Sequence, residues 1–196
     1  MPPLSVATAI AVRAHSGQKR ADGRDYIEHP MAVARILMGS STHLPTAVYS
    51  AAMLHDVMED AHLSYAELAA RVGREAATMV LGLTRPQRVA GESSEVWEER
   101  YIAQMRIVFP FAPGLLLIKL ADRIHNLQTA HTLARPRRAR LIDTTQRHYA
   151  PFFRSMQRML PIELQCACTV LLRGLEGALE HAHKGARCFQ ERMAKG

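Results

Sequence analysis

Apolar and polar positions along this chain recur with the period of helices almost throughout, and each helix carries punctuation at its ends. Val6 to His15 is a small-residue stretch with Ile10 and Val12 set among alanines. A loop rich in Gly, Asp and charge follows from Ser16 to Glu28. His29-Pro30 closes it, with Pro30 in the first turn of a helix predicted to reach about Met38. Pro45 opens the next helix in the same way, and that helix is expected to run on through Asp60. Ser64-Tyr65-Ala66-Glu67 is a capping box, so a short helix starts there and stops near Gly73. Arg74 to Leu83 follows, with Ala76, Met79, Val80 and Leu83 on one face. Thr84 to Ser94 holds Pro86, Gly91 and little apolar material, and is the segment expected to be mobile. Glu95 to Phe109 is a helix whose acidic start suits the helix dipole. Pro110 and Pro113 then break the chain before a long helix from Leu115 to about Leu133. Arg137 to about Tyr149 and Pro161 to about His183 complete an all-α set. Strand-like alternation and internal repeats are absent, and Ala186 to Gly196 is expected to be a tail.

The helix from Leu115 carries two stripes. Leu117, Leu120, Ile124 and Leu127 follow the three-and-four step of a core face. Lys119, Asp122, Asn126 and Thr129 have the same period and are wholly polar, so they border the core or line a cleft. Asp122 lies just beyond the apolar run Leu115 to Ile118, where a lone acid is costly unless it is paired.

A chain of 196 residues with 48% hydrophobic residues fits one globular domain, expected over residues 1–185. No window reaches the length of a membrane span, and Met1-Pro2-Pro3-Leu4-Ser5 lacks the pattern of a secretory signal. The three cysteines, Cys166, Cys168 and Cys188, form no CxxC pair. Cys166 and Cys168 lie in an apolar helical run and are expected to be buried thiols, consistent with a reducing cytoplasm. The net charge of +7 invites a nucleic-acid partner. Yet the basic residues are spread out, the densest run being Arg135-Pro136-Arg137-Arg138-Ala139-Arg140, and an anionic small substrate would be served equally by such a field. The oligomeric state is left open.

The chemistry gathers in Leu54-His55-Asp56-Val57-Met58-Glu59-Asp60. On a single helix of roughly 3.6 residues per turn, His55 would lie beside Glu59 and Asp56 beside Asp60. One imidazole and three carboxylates without a Lys or Arg between them want a cation. Carboxylate oxygen and neutral imidazole suit a hard or borderline divalent metal such as manganese, iron, zinc or magnesium.

Four pieces stand in order: His29 before a helix, His55-Asp56, Glu59-Asp60, and Asp122. This order is similar to the HD superfamily of metal-dependent phosphohydrolases. Ala14-His15-Ser16-Gly17-Gln18-Lys19-Arg20, Tyr26-Ile27-Glu28-His29-Pro30, the HD stretch and Lys119-Leu120-Ala121-Asp122-Arg123-Ile124-His125-Asn126-Leu127 together resemble the hydrolase domain of RelA/SpoT-type alarmone enzymes. The length resembles their small stand-alone relatives of the metazoan SpoT-homologue type. The resemblance implies an all-α HD-domain bundle with one metal, usually manganese, held by His29, His55, Asp56 and Asp122. It implies that Glu59 and Asp60 handle the water, that Arg20 holds the base, and that Asn126 and Thr129 lie near ribose and base. The implied substrate is a purine nucleotide bearing a 3′-pyrophosphate, guanosine 3′,5′-bis(diphosphate) or its pentaphosphate, cleaved to GDP or GTP and pyrophosphate. Lys119, Arg123, Arg20 and Lys19 are candidates to offset the phosphate charge. Ala21 stands where a Lys often follows the Arg, and Gln128 where an Arg is common.

Three other readings are weighed against it. An HD phosphohydrolase could act on another nucleotide, such as a nicotinamide dinucleotide phosphate or a deoxynucleotide, but the Lys119-to-Asn126 wording speaks against that. A binding protein without turnover would tolerate loss of Glu59 and Asp60, and both are present. A nucleic-acid binder is suggested by charge alone, and with 6% aromatic residues the chain offers no stacking platform.

Overall fold

The computed structural model describes residues 4–41, 43–61 and 63–193, with side chains described through residue 184. In chain order the helices are α1 (Leu4–Ala14), α2 (Glu28–Ser40), α3 (Thr46–Leu54), α4 (Val57–Asp60), α5 (Tyr65–Val72), α6 (Arg74–Leu83), α7 (Ser94–Val108), α8 (Leu115–Gln128), α9 (Arg135–Thr144), α10 (Ala150–Gln157) and α11 (Ile162–Met193). A 3₁₀ turn, Ala130–Thr132, follows α8, and a π-helical turn, Thr145–Tyr149, joins α9 to α10. The architecture is all-α, as the periodicity predicts, and no strand occurs among the described residues. None of the helices is long and apolar enough to cross a membrane.

α8 is the axis of the bundle. It packs mainly on α11 and α2, and also on α3, α6 and α10. Every residue from Leu115 to His125 is buried, the polar Lys119, Asp122 and Arg123 included. A helix enclosed all round must place its polar side chains against partners or into a cavity. The start of α8 approaches its neighbours closely because Gly114 has no Cβ: one built there would lie 2.8 Å from Met79 Sδ and 2.9 Å from Val48 Cγ2.

Several local expectations change. The helix opened by Pro45 does not continue to Asp60; α3 ends at Leu54, Asp56 takes φ −103° and ψ −7°, and α4 is a separate turn. His55 Nδ1 lies 2.8 Å from the Ala52 carbonyl and caps the end of α3 in place of the continuing backbone. Neighbouring residues on an unbroken helix point about 100° apart, and the break turns the His55 and Asp56 side chains toward one centre. The long α8 stops at Gln128, five residues before the expected end, where Thr129 takes φ −96° and ψ 5°. Residues 150–157 form a helix not assigned from the sequence; Pro151 stands in its first turn, where a missing N–H costs nothing. Cys166 is exposed, contrary to expectation, since it faces away from the Leu164, Ala167, Leu171 stripe of α11; Cys168 is buried. The helical backbone of α11 reaches Met193, and the tail expected over 186–196 otherwise lies outside the described side chains.

The capping box forms as read, with Ser64 Oγ accepting from Glu67 N and the Glu67 carboxylate accepting from Ser64 N. Gly73 then takes φ 88°, a left-handed value open to glycine, and turns the chain directly from α5 into α6. The loop expected to be mobile is tied down. Trp97 Nε1 donates to the Pro86 carbonyl at 2.8 Å, and Arg100 binds both the Gln87 carbonyl (2.6 Å) and Glu92 (2.9 Å).

Candidate metal centre

The ligand-type atoms converge where α2, the α3–α4 break and α8 meet. His29 stands in the first turn of α2, His55 and Asp56 at the break, and Asp122 in the middle of α8. His55 Nε2 lies 3.1 Å from Asp56 Oδ2 and 3.2 Å from His29 Nε2. His29 Nε2 lies 3.3 Å from Asp122 Oδ1 and 3.7 Å from Asp56 Oδ2, and His55 Nε2 is 4.0 Å from Asp122 Oδ1. His29, His55 and Asp122 are all buried, and their ligand atoms form a trio within 4.8 Å of one another.

The hydrogen bonds around the ring fix what these atoms offer. His55 donates Nδ1–H to the Ala52 carbonyl, which leaves its Nε2 lone pair facing inward. His29 Nδ1 is 2.7 Å from His125 Nδ1. Burial and the neighbouring His29 push His125 down to about 4, so His125 is neutral, and one of the two Nδ1 atoms must carry the shared proton. With His29 as donor, its Nε2 also faces inward unprotonated. Burial likewise lowers the pKa of His29. Two imidazole nitrogens and two carboxylates then converge on one point, an arrangement that a cation resolves. Burial disfavours the charged form of His55, yet Asp56 and Asp122 prevail and raise its pKa to about 9. That attraction is available to a metal ion in place of a proton. Ligands about 2.0–2.2 Å from a divalent ion lie about 2.9–3.6 Å apart at angles between square and tetrahedral. Four of the five distances above fall in or beside that range. The donor set fits a divalent metal.

A surrounding layer holds the ligands. Tyr26 donates its hydroxyl to Asp56 Oδ2 at 2.8 Å. Lys119 Nζ donates to Asp122 Oδ2 at 2.9 Å and Asn126 Nδ2 to Asp122 Oδ1 at 2.6 Å. Burial opposes the charge on Asp122, but Lys119 and the two histidines hold its carboxyl well below the usual range. Lys119 and Asn126, expected at the nucleotide, thus also serve the ligand carboxylate.

The donors open into a cavity of about 380 Å³. Lys19, Arg20, Ala21, Asn126, Thr132 and Leu133 line it together with Glu59, Lys119 and Arg85. Glu59 Oε1 accepts the Arg85 backbone N–H at 2.7 Å, and burial raises its pKa. Asp60, expected beside Glu59 at the water, is not among the residues lining the cavity; its Oδ2 sits 3.8 Å from His15 Nδ1 on the far side of Tyr26. Both acids lie on the short turn α4, where neighbouring side chains point about 100° apart, so they face different ways. Thr129 is also outside the lining, and its hydroxyl accepts from Arg20 Nη2 at 3.3 Å, steadying that guanidinium.

Behind Lys119 lies a second polar cluster that sequence reasoning missed. Tyr149 donates to Glu98 Oε2 at 2.6 Å; Arg85 Nη1 is 3.4 Å from Glu98 Oε1, and Arg123 Nη2 is 3.9 Å from Oε2. The Arg123 guanidinium lies 3.6 Å from the centroid of the Tyr149 ring. Of these, only Arg123 belonged to a recognised motif. Glu98, on a helix, and Arg85, in a loop, give no periodic or spacing signal.

Fold and donor set together define a class, and comparison with known proteins agrees. The HD domain family model matches residues 7–156, and the chain belongs to this family. Among curated relatives it is similar to the GTP pyrophosphokinase rsh of Brucella suis biovar 1 (strain 1330), 33% identical over 148 residues, covering 76% of this chain and 20% of the relative. The bifunctional (p)ppGpp synthase/hydrolase SpoT of Escherichia coli (strain K12) is likewise 33% identical over 148 residues, covering 76% of this chain and 21% of SpoT. The chain therefore spans about a fifth of the length of these relatives. A solved structure described as a metazoan ortholog of SpoT that hydrolyzes ppGpp shares the fold, with TM-score 0.62, 21% identity and coverage of 92% of this chain and 93% of that one.

Proposed function

We propose that this protein hydrolyses the 3′-pyrophosphate of guanosine 3′,5′-bis(diphosphate) and its pentaphosphate, giving GDP or GTP and pyrophosphate. The observation that carries the reading is the single cavity these residues share. Metal-ligating donors and Glu59 share it with Arg20 and Asn126, so a base and a phosphate arm fit the same space. The activities for which the relatives are named support it, including a guanosine-3′,5′-bis(diphosphate) 3′-pyrophosphohydrolase from Escherichia coli O157:H7 at 33% identity.

His29, His55, Asp56 and Asp122 would hold the metal, for which we propose manganese. The ion supplies Lewis-acid withdrawal of charge from the phosphoryl group and makes a water more acidic. Glu59, raised in pKa by burial, accepts a proton from the attacking water. Water attacks the phosphorus on the 3′ oxygen, the bond from phosphorus to that oxygen breaks, and a proton ends on the released 3′ hydroxyl. Lys119 and Arg85 offset the charge on the departing pyrophosphate. Arg20, steadied by Thr129, flanks the base. In this reading the acid–base work falls to Glu59, with Asp60 supporting from beside His15. A cytoplasmic location goes with it, in keeping with free thiols at Cys166 and Cys168.

The test is turnover of the purified, manganese-loaded protein against a nucleotide panel, with products separated by anion exchange. Intact pyrophosphate from 3′-pyrophosphorylated guanosine nucleotides is expected. Release of orthophosphate alone, or indifference to these nucleotides while other phosphoesters are cleaved, overturns the reading.

A further inference from the structure

A groove of about 640 Å³ runs between α7, α8 and α9, and Arg85 lines both this groove and the metal cavity. Arg85, Arg123, Arg137 and Arg140 face into it, whereas Glu98 is its one carboxylate among the described residues. Glu98 is already engaged by Tyr149, Arg85 and Arg123. Among the described residues, the side chains of Arg137 and Arg140 have no hydrogen-bond or ion-pair partner. Arg123 is 4% exposed, and its Nε and Nη2 are buried without a hydrogen-bond acceptor. The first turn of α9 adds to the excess, since it carries basic residues and no acid at the end of the helix where the dipole favours a negative charge. A groove built from guanidiniums in excess of their acceptors is short of an anion with several oxygens, because each planar fork can bind two of them.

We propose that this groove is a second anion site, for a compact oligophosphate, coupled to the metal cavity through Arg85. It goes beyond the hydrolytic reading, and the anion site stands or falls separately from it. Two sources share this chemistry: pyrophosphate leaving the metal cavity past Arg85, or the remote phosphate arm of a bound nucleotide.

The protein carries its own reporter. Trp97 is the sole tryptophan of the chain and lines the groove. The Arg85 guanidinium lies 4.7 Å and the Arg88 guanidinium 4.9 Å from its ring centroid, so an anion drawing on Arg85 alters the field at the indole. Titration of the purified full chain, without added free metal, with inorganic pyrophosphate should give a saturable change in Trp97 emission. Orthophosphate at matched ionic strength should act more weakly. In the double variant Arg137→Ala/Arg140→Ala, both positions being exposed, half-saturation should rise roughly tenfold or more while the unfolding temperature holds. Absence of a saturable change, or equal affinity in the double variant, overturns the proposal. Steady-state kinetics separate the sources. A rise in the inhibition constant of pyrophosphate at constant KM assigns the groove to the product, and a rise in KM that grows with the number of 5′ phosphates assigns it to the substrate arm. If neither constant moves, the coupling through Arg85 is overturned. A protein that fails to hydrolyse the nucleotide still answers the fluorescence experiment, so the two readings fail independently.

Discussion

Glu98 is the carboxylate on which two cations in the second polar cluster depend, and Glu98→Leu tests that cluster directly. Glu98 is 4% exposed, accepts the Tyr149 hydroxyl at 2.6 Å, and lies 3.4 Å from Arg85 and 3.9 Å from Arg123. Leucine fills similar space but strands the buried Arg123 without a counter-charge and the Tyr149 hydroxyl without an acceptor. Removing one partner of a buried ion pair costs about 3–5 kcal/mol. For a chain of this size each kcal/mol shifts Tm by about 2–4 °C, so a fall of roughly 6–20 °C is expected in thermal unfolding followed by circular dichroism. Glu98→Gln keeps an acceptor for Tyr149 and loses only the charge, and should cost about 1.5–3 kcal/mol. The pH dependence fixes the sign. Burial pushes the Glu98 carboxyl up, but Arg85, the Tyr149 hydroxyl and Arg123 outweigh it and hold the pKa below its ordinary value. A carboxylate depressed in the folded state contributes stability above its unfolded pKa of about 4.3 and loses it as pH falls through the folded value. The stability gap between parent and Glu98→Gln should therefore be full at neutral pH and close on acidification below about pH 4. A Glu98→Leu protein melting within about 3 °C of the parent, or a gap that widens in acid, refutes the assignment.

Three other substitutions probe the metal centre and its rim. His55→Ala should abolish stoichiometric metal binding by metal analysis, since it removes the donor nearest to both Asp56 and His29; manganese retained at one per chain would contradict this. Glu59→Gln should keep the metal and, through its remaining amide oxygen, the contact to Arg85 N, while turnover falls by roughly 10²-fold. Near-parental turnover would leave Glu59 a structural acid. Tyr26→Phe removes the hydroxyl that orients Asp56 and should weaken metal affinity by roughly 10- to 100-fold in calorimetric titration, with little change in Tm; unchanged affinity would show that Asp56 is held without it.

The candidate ligands were more legible in the sequence than their surroundings, for physical reasons. His29, His55 and Asp122 each sit in a short local pattern, and the structure brings all three into one buried trio. Residue type and spacing sufficed because a metal centre constrains both. The capping box at Ser64 and the cleft-lining polar residues Lys119, Asp122 and Asn126 of α8 were legible on similar local grounds. The break at His55-Asp56 was not, because helical periodicity assumes an unbroken backbone. Glu59 and Asp60, paired by the resemblance, are neighbours on α4 that point about 100° apart, and only Glu59 lines the cavity. Arg85, Glu98 and Tyr149 escaped notice because Glu98 and Tyr149 meet across 51 positions and Arg85 and Glu98 across 13, so no local window contains the cluster. Helix α10 was not anticipated: only eight residues long, it follows the π-helical turn directly, with Pro151 in its first turn.

The π-helical turn at Thr145–Tyr149 has a consequence for how this chain can vary in length. Such a turn holds one residue more than the α-helix it interrupts, and one residue of helix corresponds to about 100° of rotation. The extra residue sets the phase between α9, which faces the arginine-lined groove, and α10, which buries Phe152 and Phe153 in the core. A single deletion anywhere in these five positions would leave the continuous helix in place but swing one of its two faces off target. Insertions and deletions should therefore be selected against here. In this segment the count of residues is under tighter constraint than the identity of most of them.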